Sequence, residues 1–325
     1  MTDHPIFTRR ALLAASLAMP AAAVAQGAFP SRPLKFVVPF GPGSGTDTSA
    51  RYFGRKLQEM TGQPVVVENR PGGNGFIAVR QVLAAPADGY TVFIGSNSTL
   101  AVNVALFRKL PYDPTADLAP LSMMMHAPAL LVVPPDSPHR SVASLVAAAT
   151  ARPGRLNYGA GSAGYQLMAE QLNDAARIQT THVPFKSAAE ALTAVASGTV
   201  DFSFADITAA LEMVKGGRVR ALAVAAERRT PALPELPTAT EAGAPGVIAS
   251  VWVAAAVHAR TPRPEAERLA DLFTRIERQE ETRAFYARLG AETMQGGAAE
   301  MRDFQKEDIA RWQRIAAKAG VELQE

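Results

Sequence analysis

Two short stretches carry the residue types that could do chemistry. The first is Phe36-Val-Val-Pro-Phe-Gly-Pro-Gly-Ser-Gly-Thr-Asp-Thr-Ser-Ala-Arg51. Its apolar run from Phe36 to Phe40 reads as a buried strand. Gly41-Pro42-Gly43-Ser44-Gly45 follows as a turn. Thr46, Asp47 and Thr48 are residue types that cap helices, and an apolar-periodic helix runs on to about Met60. A strand that stops at a glycine-rich turn and enters a helix presents unpaired N–H groups and the positive end of a helix dipole. That combination binds an anion through backbone alone. The second stretch, Ala160-Gly161-Ser162-Ala163-Gly164, stands in the same context. Two such loops on two units can converge on one anion.

Neither stretch is a nucleotide fingerprint. No Gly-Lys-Ser/Thr follows the first glycines, and the third glycine of a dinucleotide motif is replaced by Thr46 or Thr48, depending on register. The plain alternative for the first stretch is a connecting loop. The second also resembles a nucleophile elbow, with Ala160 in place of the first glycine. His258 follows Asp201 or Asp206 in the hydrolase chain order, so a serine hydrolase using Ser162 is an alternative reading.

Other polar residues are less specific. Asp47 reads as a helix cap rather than a catalyst. Asp206 ends a strand facing the expected cleft, where it either caps the next helix or touches ligand. Tyr165 and Gln166, in the first turn after the second loop, either stack on or hydrogen-bond a ligand or lie on the surface. His4, His126, His139, His182 and His258 show no metal-ligand spacing, and no carboxylates form an acid/base pair. No metal or other cofactor is expected. The absence of cysteine excludes disulfides, a thiol nucleophile and a lipid-modified cysteine.

The positioning elements follow from periodicity. Pro64 to Glu68 and Thr91 to Gly95 read as further strands, with a helix over 76–84 between them. The polar cluster Ser96-Asn97-Ser98-Thr99 ends the third strand. Strand–helix alternation with short joints predicts a parallel sheet with right-handed crossovers. Leu118 to Met125 and Ala129 to Val133 read as two extended stretches. Beyond them, strands at 156–159, 180–183, 200–204 and 220–225 alternate with helices. One helix opens on a Ser187/Glu190 capping box. Val247 to Val257 is a β-type run able to cross back, and helices are expected over 263–279, 282–289 and 299–319. The expected fold is α/β: two Rossmann-like α/β domains, 26–127 plus 249–325 and 128–248, with a ligand cleft between them at the carboxyl ends of strands.

Composition agrees with an ordinary soluble protein. Of 325 residues, 48% are hydrophobic and 19% charged, and net charge is +3 with no basic block, which argues against nucleic-acid binding. Arg9-Arg10 precedes an apolar run from Ala11 to Val24 and a small-residue cleavage site, Ala23-Val24-Ala25. This reads as a bacterial export signal over residues 1–25, with the arginine pair hinting at the twin-arginine route. Its removal takes away two arginines and one aspartate and leaves +2. A soluble periplasmic monomer is expected.

The chain resembles the solute receptors of tripartite tricarboxylate transporters, the Bug receptors. The resemblance is carried by Phe29 to Asp47, Gly62 to Gly75, Ala87 to Thr91, Leu110 to Pro114, Pro153 to Tyr158, His182 to Lys186, Gly217 to Val224 and Leu236 to Gly243, which span nearly all of the mature chain. It implies a periplasmic binding protein, not an enzyme, whose two domains close on a small carboxylate and deliver it to integral membrane transporter subunits. It further implies contacts from Phe40 to Asp47 and Gly159 to Gln166, with Ser96, Asn97, Ser98, Thr99 and Asp206 alongside. The second loop departs from the family pattern. Many members have a longer loop with a serine or threonine run and a histidine, whereas this chain carries Tyr165-Gln166. A binding module that feeds a signalling partner is the remaining alternative.

Overall fold

The computed structural model describes residues 29–325; the export signal expected over residues 1–25 lies outside them. In chain order the first half holds β1 (Leu34–Val38), α1 (Gly45–Thr61), β2 (Val65–Asn69), α2 (Phe76–Ala84), β3 (Thr91–Ser96) and α3 (Asn103–Leu106). The long strand β4 (Leu118–Val133) leads into α4 (Val142–Ala151), β5 (Asn157–Ala160), α5 (Ala163–Ala176), β6 (Thr181–Pro184), α6 (Ala188–Ala196), β7 (Phe202–Asp206), α7 (Ile207–Lys215) and β8 (Arg220–Ala225). The chain returns through β9 (Ser250–His258) and ends in α8 (Arg263–Glu277), α9 (Glu280–Arg288), β10 (Glu292–Thr293) and α10 (Ala298–Lys318).

β1 pairs in parallel with both β2 and β3, and β5 pairs in parallel with both β6 and β7. Each set is therefore a small α/β unit with helical crossovers. β4 is antiparallel to everything it touches and serves both units. Its residues from Leu118 to Pro128 pair with β9, while Ala129 to Val133 pair with β7 and β8. The chain crosses back beside it, where Ala249 N donates to Ala225 O (3.0 Å) and Ser250 pairs with Pro128. Two adjacent extended segments thus join two α/β halves.

The C-terminal helices pack beside β1 and α1, because their apolar faces have partners there. Phe273 of α8 packs on Phe36 of β1 and Phe53 of α1, at ring separations of 5.7 and 5.5 Å. Trp252 of β9 and Trp312 of α10 both donate their indole N–H to the buried Asp308 Oδ2, at 2.8 and 3.0 Å. Arg311 donates to the other oxygen of that carboxylate (2.9 Å). A buried charge is tolerable only when it is satisfied in this way.

Two expectations need correction. β4 is one strand of 16 residues rather than two. Bulges near Pro120 and Met123 take up the irregularity while β9 keeps the pairing continuous. The cap of α1 is Ser44, not Thr46, Asp47 or Thr48: Ser44 Oγ accepts from Asp47 N (3.2 Å), and the Asp47 carboxylate accepts from Gly43 N (3.0 Å).

Candidate functional site

Four helix N-termini meet where the two halves face each other: α1 from the first half and α5, α6 and α7 from the second. The first four N–H groups of a helix have no partner inside it. In α1, Ser44 N donates to Gly41 O (3.4 Å) and Asp47 N to the Ser44 hydroxyl, which leaves the N–H groups of Gly45 and Thr46. Both residues line a cavity between the halves. In α6, Ser187 Oγ accepts from Glu190 N (3.2 Å), and Ala188 in the first turn lines the same cavity. In α7, Asp206 Oδ1 accepts from Ala209 N (3.1 Å).

The N-terminus of α5 is capped from the other half. Ser162 occupies the cap position but makes no side-chain cap bond of its own. Instead Ser98 Oγ accepts from Gly164 N (3.1 Å) and donates to Ser162 Oγ (2.9 Å). Ser98 opens a π-helical turn, Ser98–Val102, directly after β3. The polar cluster Ser96 to Thr99 is therefore buried and spans the gap between the halves.

Close backbone approach explains two glycines. A Cβ on Gly161 would sit 2.1 Å from Ser187 C, so the second loop fits against the start of α6 only as glycine. A Cβ on Gly45 would sit 2.7 Å from Thr208 Oγ1 and 2.8 Å from Asp206 Oδ1. Gly45 therefore lets the start of α1 touch the start of α7.

The electrostatics of the wall are simple. Among the described residues that line the cavity there is no Lys, Arg or His, and Asp206 is the one formally charged side chain. Its oxygens already accept from Tyr165 OH (2.6 Å), from the Thr208 hydroxyl and from Ala209 N. Burial, with Asp206 beside it, pushes the Tyr165 phenol well above its ordinary pKa, so the phenol stays protonated and donates. Asp206 is thus turned towards its own donors. What remains for a ligand is a ring of neutral donors at helix N-termini, each end worth roughly half a positive charge. That set suits a carboxylate. The cavity is small, about 10 Å³, room for roughly one water. A larger ligand can enter only with the halves apart.

The structure brings together Phe40, Ser44, Gly45, Thr46, Ser96, Asn97, Ser98, Gly161, Ser162, Tyr165 and Asp206 in the cavity wall. It does not place Pro42, Gly43, Asp47, Ala160, Ala163, Gly164 or Gln166 there. Asp47 is held by Asn69 Nδ2 (2.8 Å) and an ion pair with Arg51 (2.9 Å). Gly164 serves the wall through its N–H to Ser98. Gln166 turns to the other side of the second loop, where Gln324 Nε2 donates to its Oε1 (3.3 Å). Tyr165 is not on the surface: it is buried against Asp206 in the cavity wall. Ala188 and Val251 were missed as wall residues. Ser187 carried the usable signal, since a Ser/Thr cap directly after a strand and a short turn is the same design as the first loop.

The hydrolase constellation is not assembled. Ser162 Oγ accepts from Ser98 Oγ and, among the described residues, donates to no histidine. Val251 of β9 lines the cavity, but His258 lies seven residues further along the strand, roughly 23 Å away at 3.3 Å per residue. His258 instead accepts from Arg260 N (3.0 Å), and Asp201 accepts from Asn157 N (2.7 Å) at the opposite end of β7 from Asp206. Among the described residues no group of three His, Cys, Asp or Glu could hold a metal ion.

Comparison with known proteins gives the same picture. Residues 49–321 match the tripartite tricarboxylate transporter family receptor. The chain belongs to this family. It is 34% identical over 313 residues to protein BugT of Bordetella pertussis, covering 93% of this chain and 94% of that one. It superposes on the R. palustris protein Rpa4515, solved with adipate, at TM-score 0.88 and 33% identity over 91% of this chain and 100% of the other. MatC of Rhodopseudomonas palustris, solved with bound malate, gives TM-score 0.85 and 31% identity over 89% and 100% of the two chains. The chain is therefore a solute-binding receptor of the periplasmic type, with the two-domain α/β fold of its relatives.

Proposed function

We propose that this chain captures a small carboxylate between its halves in the periplasm and delivers it to the integral membrane subunits of a tripartite tricarboxylate-type transporter. One observation carries the reading: helix N-termini from both halves converge on a cavity wall with no cationic side chain. The relatives solved with adipate and malate make the same class of solute the natural candidate. In this proposal the division runs at the strand crossing, with residues 26–127 and 249–325 as one domain and 128–248 as the other. The chain acts as a monomer, exported by residues 1–25 through the twin-arginine route, and performs no catalysis.

Binding and closure are one event. Each N–H donated to a carboxylate contributes about 1.5–3 kcal/mol, because hydrogen bonds to a charged acceptor are the stronger ones. A ligand held by Gly45 and Thr46 on one side and by the starts of α5 and α6 on the other binds the closed form better than the open form. It shifts the equilibrium by that difference alone. The paired segments at Pro128 and Ser250 are the place for the hinge. Titration calorimetry and thermal shift against a carboxylate panel that includes adipate and malate test the proposal. A member of the panel binds and raises the unfolding temperature. Binding of phosphorylated or cationic solutes, with no response to any carboxylate, would overturn it.

A further inference from the structure

Asn97 lines the cavity and is 1% exposed. Its Nδ2 donates to Ser250 O (3.4 Å), on the strand that crosses between the halves. Its Oδ1 is buried with no hydrogen-bond partner among the described residues. Of the buried side-chain atoms left in that state, this one alone belongs to a residue of the cavity wall. The neighbouring polar groups are committed. Ser98 bridges Gly164 N and Ser162, and Asp206 holds Tyr165, Thr208 and Ala209. The neighbouring N–H groups of Gly45 and Thr46 are donors and suit the carboxylate. Asn97 Oδ1 is an acceptor and cannot contact a carboxylate favourably, since an ionised carboxylate only accepts.

From this juxtaposition of uncommitted donors and one unpartnered acceptor among the residues of one wall, we propose that Asn97 selects carboxylates that carry a hydrogen-bond donor on carbon 2, a hydroxyl or an ammonium group. The inference rests on the carboxylate-receptor reading above. An unsubstituted carboxylate would fill the donor side of the site and leave Oδ1 buried and unpaired, which disfavours its binding. A 2-hydroxy or 2-amino carboxylate satisfies both sides. Sites built to hydrogen-bond a substrate hydroxyl or amine reject analogues that lack it, because the protein's own polar group is then stranded.

The experiment is titration calorimetry with matched sets. Succinate, malate and aspartate share one skeleton; adipate and 2-aminoadipate share another. Wild-type protein binds malate or aspartate, or 2-aminoadipate on the longer skeleton, on the order of ten-fold or more tightly than the unsubstituted member. In Asn97→Val, nearly the same size but without the acceptor, the ratio falls to within about two-fold, while Asn97→Asp, which keeps an acceptor at Oδ1, retains the preference for the substituted member. Should Asn97→Val fail to fold, the wild-type ratios decide alone. Equal affinity for substituted and unsubstituted members in wild type overturns the role of Asn97 and leaves the receptor reading standing. A preference that survives unchanged in Asn97→Val also overturns it. No binding by any of the five diacids, with no carboxylate binding in the wider panel, overturns the receptor reading and this inference together.

Discussion

Gly45→Ala is the perturbation that separates closure from folding. In the closed arrangement the new Cβ would stand 2.7 Å from Thr208 Oγ1, 2.8 Å from Asp206 Oδ1 and 3.0 Å from Met125 Cε. Ordinary contact begins at 3.4 Å, so Thr208 must retreat by the difference, 0.7 Å. Asp206 cannot move aside freely, because Tyr165 OH holds Oδ2 at 2.6 Å and Ala209 N holds Oδ1 at 3.1 Å. Overpacking of this kind costs about 1–3 kcal/mol. The cost falls on the closed form, since Gly45 and the residues it touches in α7 belong to different halves. The open form keeps only the 3.0 Å contact with the flexible end of Met125, which lies in the same half, and alanine favours a helix by up to about 1 kcal/mol over glycine. Ligand affinity should therefore drop about 5- to 140-fold, at about 1.4 kcal/mol per factor of ten. Calorimetry with the best carboxylate of the panel measures the loss. Small-angle scattering should show a smaller ligand-induced contraction than in wild type, with an unchanged or slightly higher unfolding temperature without ligand. Affinity within about two-fold of wild type, with full contraction, would refute the claim that this contact closes on ligand.

Three further outcomes are expected. Tyr165→Phe leaves Asp206 Oδ2 without its 2.6 Å donor, so stability should fall by about 1–3 kcal/mol, read as a lower urea midpoint at unchanged slope. Gln166→Ala should leave carboxylate affinity within about two-fold, because its side chain bonds Gln324 outside the cavity wall; a ten-fold loss by calorimetry would contradict the placement. Glu277 is buried under the loop that carries Gly296, and burial pushes its carboxyl up to about 7 from 4.5 despite the Ser122 hydroxyl at 2.8 Å. The folded chain thus holds this proton more tightly than the unfolded chain. The stability it contributes is full below pH 4.5 and is lost as pH rises through 7. Thermal melts should show wild type losing ground to Glu277→Gln between about pH 5 and 8, and parallel curves would refute the assignment.

Much of this architecture was legible in the residues. Glycine turns located the starts of α1 and α5 to within a few residues, the Ser187/Glu190 pair located that of α6, and apolar runs bounded by Pro and Gly located the strands. The apolar periodicity after Pro262 foretold three closing helices, and their return followed from their having no sheet of their own. Other features depend on what lies opposite. A proline inside an extended run ordinarily ends a strand, yet β9 carries β4 past Pro128 by pairing Ser250 with it. Ser44 outcompetes three later cap-type residues because Asp47 is in place to accept from Gly43. Tyr165 and Gln166 are neighbours in sequence but about 100° apart on a helix, so only one of them can face the cavity. The trans-cap of α5 by Ser98 crosses 66 residues and both halves, and no local pattern announces it.

The most direct test is a crystal structure of the protein with the carboxylate it binds most tightly. The expected result is a closed molecule with the ligand carboxylate between the halves, its oxygens within about 3.2 Å of the main-chain N–H groups of Gly45 or Thr46 and of the second loop or the start of α6. A ligand seated on one half alone, or held by Lys and Arg side chains outside this cavity, would contradict it.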